Sequence, residues 1–118
     1  DSSLPSKGWI YSYFLANTDK FIKINKFNKF KFRFSLADIS LTIDFLKNGK
    51  YKRKWINNFD KNKVYSEGRL YRYKNVVLLI RNNSEQKLFM HETFYFDKKN
   101  KFCTIIFKKS ICSLRVLD

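Results

Sequence analysis

Residues 41–55 read LTIDFLKNGKYKRKW, and the way this stretch turns back on itself decides the fold. Leu41, Ile43 and Phe45 alternate with Thr42 and Asp44, and Ile39 and Ser40 extend the pattern backwards. A repeat of two sends one set of side chains to a core and the other to water, as in a half-buried strand. Asn48-Gly49 is the best turn signal in the chain. A two-residue loop there would oppose Phe45 to Lys52 and Ile43 to Lys54. A three-residue loop, Lys47 to Gly49, opposes Phe45 to Tyr51, Leu41 to Trp55 and Asp44 to Lys52. The second register sets apolar against apolar and acid against base, so it is the expected one. It places Gly49 in the left-handed position of a bulged turn.

Working outward, NKFKFRFSL (28–36) repeats the alternation, with Phe30, Phe32, Phe34 and Leu36 against Lys29, Lys31, Arg33 and Ser35. The apolar parity changes between Leu36 and Ile39, which calls for a turn or bulge near Ala37-Asp38. On the C-terminal side a polar stretch, NNFDKNK, precedes RLYRY (69–73) and VVLLI (76–80), with Lys74-Asn75 as a tight turn between them. NNSEQK (82–87) reads as a loop. LFMHETFYF, FCTIIF and ICSLRVL read as strands, with DKKNK joining the first two. The N-terminal third is ambiguous. Residues 9–15 suit a strand. Phe21, Ile24 and Phe27 have near-helical spacing behind a capping Thr18 or Asp19, while Ile22 and Ile24 suit a strand equally well. The expected fold class is all-β: a small antiparallel β-barrel or rolled sheet of about seven to eight strands, with room for a short N-terminal helix. Residues 1–7, DSSLPSK, read as a polar tether and 8–118 as a single β domain.

Composition bounds the function. The chain has 118 residues, 44% hydrophobic and 30% charged, with 3 Gly and 1 Pro, which fits one globular domain. Aromatic residues reach 19%, including 13 Phe, so the core should be rich in rings. A net charge of +15 attracts phosphates, anionic head groups or an acidic partner protein. A base-biased genome competes as the cause. Lys, Asn, Phe, Ile and Tyr, all with A- and T-rich codons, supply 60 of the 118 residues, and 19 of the 25 basic residues are Lys. No apolar run approaches the ~18 residues that a membrane-spanning helix needs. The chain begins at Asp1, which suits an exported, periplasmic or membrane-anchored lipoprotein after processing; a chain trimmed elsewhere would read the same.

LTIDFLKNGKYKRKW followed by EGRLYRYKNVVLLI resembles small bacterial lipocalin-like (calycin-type) β-barrels over residues 39–81. The matching residues are Phe45, Asn48, Gly49, Tyr51, Gly68, Tyr71 and Val76 to Leu79, and Gly8-Trp9 is similar to the Gly-x-Trp start of lipocalins with a different spacing. The resemblance implies a barrel or half-barrel with an apolar interior. It implies no particular ligand and no catalytic residue.

The chemistry-bearing residues are few. His91 is the one histidine, on the parity of Phe89, Thr93 and Tyr95 and opposite Met90, Glu92, Phe94 and Phe96. With no second His and no paired Cys at ligand spacing, a metal site is not expected. No cofactor fingerprint is present. A small basic ribonuclease could be assembled from His91, Glu67, Glu92 and Arg72, but no spacing joins them. Cys103 and Cys112 are nine residues apart. A hairpin turning at Lys108-Lys109 would put both on the core face with Ile105, Phe107, Leu114 and Val116. The two sulfurs would then be diagonal neighbours, marginal for a disulfide, with two buried thiols as the competing state. An exported location favours the bridge.

Lys29, Lys31 and Arg33 share one face with Lys52 and Lys54, which suits a stripe along a phosphate backbone. Single-strand binders, however, stack bases on rings exposed beside the charge, and here the rings go to the other face. The expected function is a non-enzymatic binding module of the cell envelope or secreted. Its candidate contacts are Lys29, Lys31, Arg33, Lys52 and Lys54 outside, and Trp55, Tyr71 and Tyr73 near a barrel mouth. Its expected partners are an anionic surface, a partner protein or an apolar small ligand. The alternative is an OB-like binder of single-stranded nucleic acid, and the third reading is the ribonuclease.

Overall fold

The computed structural model describes residues 18–82 and 90–113. After a single 3-10 turn at Thr18–Lys20, the strands run β1 Ile22–Lys23, β2 Phe30–Ser35, β3 Ile39–Phe45, β4 Lys50–Asn57, β5 Lys63–Tyr73, β6 Val76–Arg81, β7 Met90–Phe96, β8 Phe102–Ile106 and β9 Lys109–Cys112. β2 to β9 form an antiparallel meander in sequence order, eight strands curled into a half-barrel, and β1 adds to β5. This is the all-β architecture that the alternating pattern predicts. The expected tether at 1–7, the strand at 9–15, most of the loop at 82–87 and residues 114–117 of the last strand lie outside the described residues.

The β3–β4 register is the one argued from face matching: Phe45 opposes Tyr51, Asp44 opposes Lys52 and Leu41 opposes Trp55. Gly49 closes the loop at φ 81°, and a Cβ there would fall 1.8 Å from the carbonyl oxygen of Ile24. Glycine is therefore required both by the backbone and by the segment packed on it. The turns at Ala37-Asp38 and Lys74-Asn75 also fall where expected.

Three expectations are corrected. No short N-terminal helix forms in the described residues. β5 is eleven residues long, and β4 pairs only with its first part, Lys63 to Arg69. The remaining edge needs partners, and the N-terminal segment supplies them: Ile22 and Lys23 pair with Arg72 and Tyr71, and Ile24 N–H donates to the Leu70 carbonyl. Open edge hydrogen bonds outweigh a three-residue apolar spacing. Secondly, β5 starts at Lys63, six residues before the predicted strand. Thirdly, the last hairpin turns at Phe107-Lys108, both left-handed at φ 51° and 65°. The turn lies one residue earlier than expected, which moves the partner of Cys103 by two positions, so Cys103 stands directly opposite Cys112 and the two form a disulfide. Ser113 N–H bonds to the Phe102 carbonyl, which leaves 103/112 as the adjacent non-hydrogen-bonded pair, the position where facing side chains come closest. The bridge lies on the outer face with Tyr95, while Phe102 and Thr104 face the core. Phe107 is exposed in the turn.

The concave face holds the core. Phe30 stacks on Phe45 at 4.5 Å and Phe94 on Phe102 at 4.6 Å, and Phe45 meets Phe94 edge-on at 5.3 Å. Phe32 from β2 meets Phe94 from β7 at 5.1 Å. Rings from one end of the meander thus pack on rings from the other, and this closes the roll. Phe27 seals the lower end, 5.8 Å from Phe45 and 5.9 Å from Phe102. A second, smaller cluster of Phe21, Val76 and Leu78 with Tyr71 and Tyr73 lies on the outer face.

Phe45→Ala and Phe94→Ala should each cost about 3–5 kcal/mol in urea unfolding, as expected for a ring removed from a closed core. Phe59→Ala, at an exposed turn residue, should change stability by less than about 0.5 kcal/mol. The chain denatured without reductant should give no free thiol from Cys103 and Cys112. Its reduction should lower stability by about 2–3 kcal/mol, the loop-closure value for a bridge this short.

A candidate binding site on the concave face

Register fixes which side chains point inward. β4 contributes Tyr51, Arg53 and Trp55. Their partners on β5 are Gly68, Ser66 and Val64. β6 adds Val77, Leu79 and Arg81, and β7 adds Glu92, Phe94 and Phe96. Burial along this face is graded. At the lower end and the middle, Phe32, Phe45, Tyr51, Leu70 and Phe102 are fully or nearly fully buried. Phe27, Phe30 and Phe96, at the lower rim, are partly buried. Towards the upper end Leu41 is still buried at 4%, but its neighbours Phe34 and Trp55, with Ser66 and Ile106, are only partly buried, and Val64 is 52% exposed. The half-barrel is filled below and opens upward.

At the boundary sits an ion pair. Arg53 Nε and Nη2 donate to the two carboxylate oxygens of Glu92, each at 2.9 Å, in a bidentate fork. The strands that carry them, β4 and β7, are separated by β5 and β6, so the pair spans the hollow of the curl. Its side chains are 15% and 16% exposed, so water still reaches them. β7 carries an irregularity here: Met90 opposes Ile80 and Thr93 opposes Leu78, so three steps on β7 match two on β6. A bulge of this kind re-aims a side chain, and it falls at His91-Glu92.

Tyr51 lies beneath the pair with its ring fully buried. Burial pushes its hydroxyl well above the usual tyrosine range, the Glu92 carboxylate adds to that, and Arg53 and Arg81 oppose it. The phenol therefore stays protonated. Gly68 makes room for it: a Cβ there would lie 2.8 Å from the Tyr51 ring and 2.0 Å from the Ile80 carbonyl oxygen.

The expected contact residues divide among three places. Lys31, Arg33, Lys52 and Lys54 do share the outer face, with Lys29 just ahead of β2. Yet the cross-strand row Lys31–Asp44–Lys52–Glu67 alternates in sign, with Lys31 Nζ 3.5 Å from Asp44. That row is a charge ladder more than a basic stripe. Trp55 is on the concave face near the upper end. Tyr71 and Tyr73 are on the outer face at the lower end of β5, where Tyr73 packs edge-on against Phe21 at 5.6 Å. They share no mouth with Trp55.

The ribonuclease set is not assembled either. Glu67 is on the outer face, Glu92 is inside and engaged by Arg53, and Arg72 lies over the Phe96 ring at 4.6 Å. The side chain of His91 lies outside the described ones. Asp97, Cys103 and Cys112 bring ligand-type atoms within 4.8 Å of one another. Both sulfurs are consumed in the bridge, and Asp97 Oδ1 accepts the turn N–H groups of Lys99 and Lys101.

Sequence reasoning missed the Arg53–Glu92 pair. The signal was present: Arg53 has the parity of Tyr51 and Trp55, and Glu92 that of Phe94 and Phe96, so both were charges at core-facing positions. No family model matches the chain, and neither the curated proteins nor the solved structures contain a significant match.

Arg53→Met strands the Glu92 carboxylate and should cost about 3–5 kcal/mol in urea unfolding. The double substitution Arg53→Met/Glu92→Leu should recover most of that loss, because a fully apolar replacement leaves no charge behind. A double variant no more stable than the single one would show that the pair adds stability in its own right.

Proposed function

We propose that the protein is a non-enzymatic binding module that holds a small amphipathic ligand in the upper, open half of the concave face. The polar end of the ligand would meet Arg53 and Glu92, and its apolar body Trp55 and Phe34. The observation that carries this reading is the partial exposure of Trp55, Phe34 and Val64 around the buried Leu41 at the upper end of an inner face that is otherwise packed with phenylalanines, with a half-wet ion pair at the boundary. Binding sites combine an apolar lining with a few placed polar groups in this way.

The next-neighbour strand order supports a lipocalin-like reading, since up-and-down barrels have that connectivity. An OB-like binder would be a five-stranded Greek key, and would keep stacking rings on an exposed face. Here Phe30, Phe32 and Phe34 point into the curl. The Cys103–Cys112 bridge supports the reading of an exported protein, in the envelope or secreted, because disulfides persist in oxidising compartments.

A dansyl-labelled fatty acid is a suitable probe. It should bind saturably and change the intrinsic tryptophan fluorescence. Trp55→Ala should weaken it about tenfold or more, equivalent to at least about 1.4 kcal/mol. Phe59→Ala should leave binding unchanged. Absence of saturable binding, or equal loss in both variants, would remove this reading.

A further inference from the structure

We propose that the closed lower end of the half-barrel docks on an anionic lipid bilayer through an array of lysines. A base-biased composition would raise the lysine content without regard to position. The fold does not distribute it evenly. Four segments meet at the lower end: 18–29, the β3–β4 loop with Lys50, residues 72–75, and the β7–β8 loop at 97–101. Together they hold eleven Lys and Arg residues against two Asp, so nine of the fifteen net positive charges sit at one end. The described upper turns, 36–38, 57–63, 81–82 and 107–109, are fifteen residues against twenty-six below and hold five basic residues against two acidic ones, so they carry less net charge per residue.

The placement follows from the chain path. The N-terminal segment crosses under the curl, packing Phe21 on Tyr73 at one side and bonding Phe27 N–H to the Lys47 carbonyl at the other. Of its apolar residues Phe21, Ile24 and Phe27 turn towards the fold and Ile22 is 70% exposed, and Lys20, Lys23, Lys26 and Lys29 remain in water. Lys47 and Lys50 project beside them. Lys74, Lys98, Lys99 and Lys101 complete the far side, and all eleven basic residues of this end are exposed. The Phe27 and Phe102 rings fill the space above, so the lysines stand on a closed floor.

The chemistry of this floor selects its occupant. Ten of the eleven cations are Lys, and the eleventh, Arg72, is stacked on Phe96 with Nε bonded to the Lys74 carbonyl. Lysine is a compact point charge without the planar fork that reads phosphate and base edges. Tyr73 is flanked by the ammonium groups of Lys20 and Lys74 at 5.8 and 5.2 Å. Among the described residues of this end no aromatic ring is exposed for bases to stack on. A broad field of exposed lysines with no stacking ring matches a plane of anionic head groups better than a nucleic-acid strand. Docking by this end also leaves the open upper half of the concave face pointing away from the bilayer.

The test is vesicle flotation with the full chain. Vesicles of phosphatidylcholine with phosphatidylglycerol should bind it at low salt and release it at high salt, and pure phosphatidylcholine vesicles should not bind it. Each lysine near an anionic surface contributes roughly fivefold in affinity, so the triple variant Lys26→Gln/Lys47→Gln/Lys99→Gln should lose roughly a hundredfold. All three are exposed, so circular dichroism should be unchanged. The control Lys52→Gln/Lys54→Gln, on the outer face of β4, should lose much less. The proposal is overturned if anionic vesicles do not bind at low salt, or if the control loses as much as the triple variant. It is also overturned if Phe59→Ser/Phe107→Ser abolishes binding, which would put the opposite end on the membrane. Tight binding of polyuridylate with none to vesicles would assign the floor to nucleic acid and likewise reject it.

Discussion

The rest of the structure depends on the ring-to-ring contact that joins the two ends of the meander. In this eight-stranded antiparallel ribbon the six inner strands have neighbours on both sides, and the end strands β2 and β9 do not pair with each other, so backbone hydrogen bonds between the ends do not close the roll. Phe30 and Phe32 on β2 and Phe45 on β3 meet Phe94 on β7 and Phe102 on β8 across the curl, and they can bury their faces only there. Rings that bury large areas and pack edge-to-face dominate a core of this size. Curvature then sets local demands. Where the strands crowd, Gly68 lets the Tyr51 ring lie across β5, and Gly49 lets the N-terminal segment cross under the β3–β4 loop.

Charge is handled in opposite ways on the two faces. Outside, Lys31, Asp44, Lys52 and Glu67 alternate across four strands, and such exposed neighbours contribute little stability each. Inside, a single bidentate pair joins β4 to β7. Taking a guanidinium and a carboxylate out of bulk water costs several kcal/mol per ion before their attraction offsets it, and apolar replacements of such pairs are often as stable or more so. The Arg53–Glu92 pair is therefore a poor device for stability alone. Its partial exposure, at the level where the inner face stops being sealed, is what a recognition role requires.

Much of this was legible in the sequence because period two is a local signal. The β3–β4 register followed from matching faces across Asn48-Gly49, and the Ala37-Asp38 turn from a change of parity. What was not legible has physical causes. Lys63 to Glu67 reads as polar because both faces of β5 are largely open near its start, so burial leaves no alternation there. Phe107-Lys108 turns with two left-handed residues and no Gly or Asn to announce it, so the expected turn falls one residue late and the expected partner of Cys103 two positions late. The helical spacing of Phe21, Ile24 and Phe27 was real, but an unpaired edge of β5 claimed the segment. The pairing of Arg53 with Glu92 depends on how far the sheet curls, which no local pattern encodes.

The two ends of the half-barrel differ for a reason that lies in the connectivity. A meander puts alternate loops at opposite ends, so each end can be composed independently of the core. One end received the N-terminal crossing, the sealing phenylalanines and most of the net charge. The other kept partly open apolar residues around an ion pair. A composition bias alone would leave charge in proportion to loop length, whereas the described lower segments carry more net charge per residue than the described upper turns. The asymmetry is a property of where the lysines stand in the fold, and it separates the floor proposed to meet a charged surface from the cup proposed to hold a small ligand. Because the Phe27, Phe45 and Phe102 contacts lie between them, the floor can bear charge without placing lysine near the Arg53–Glu92 pair.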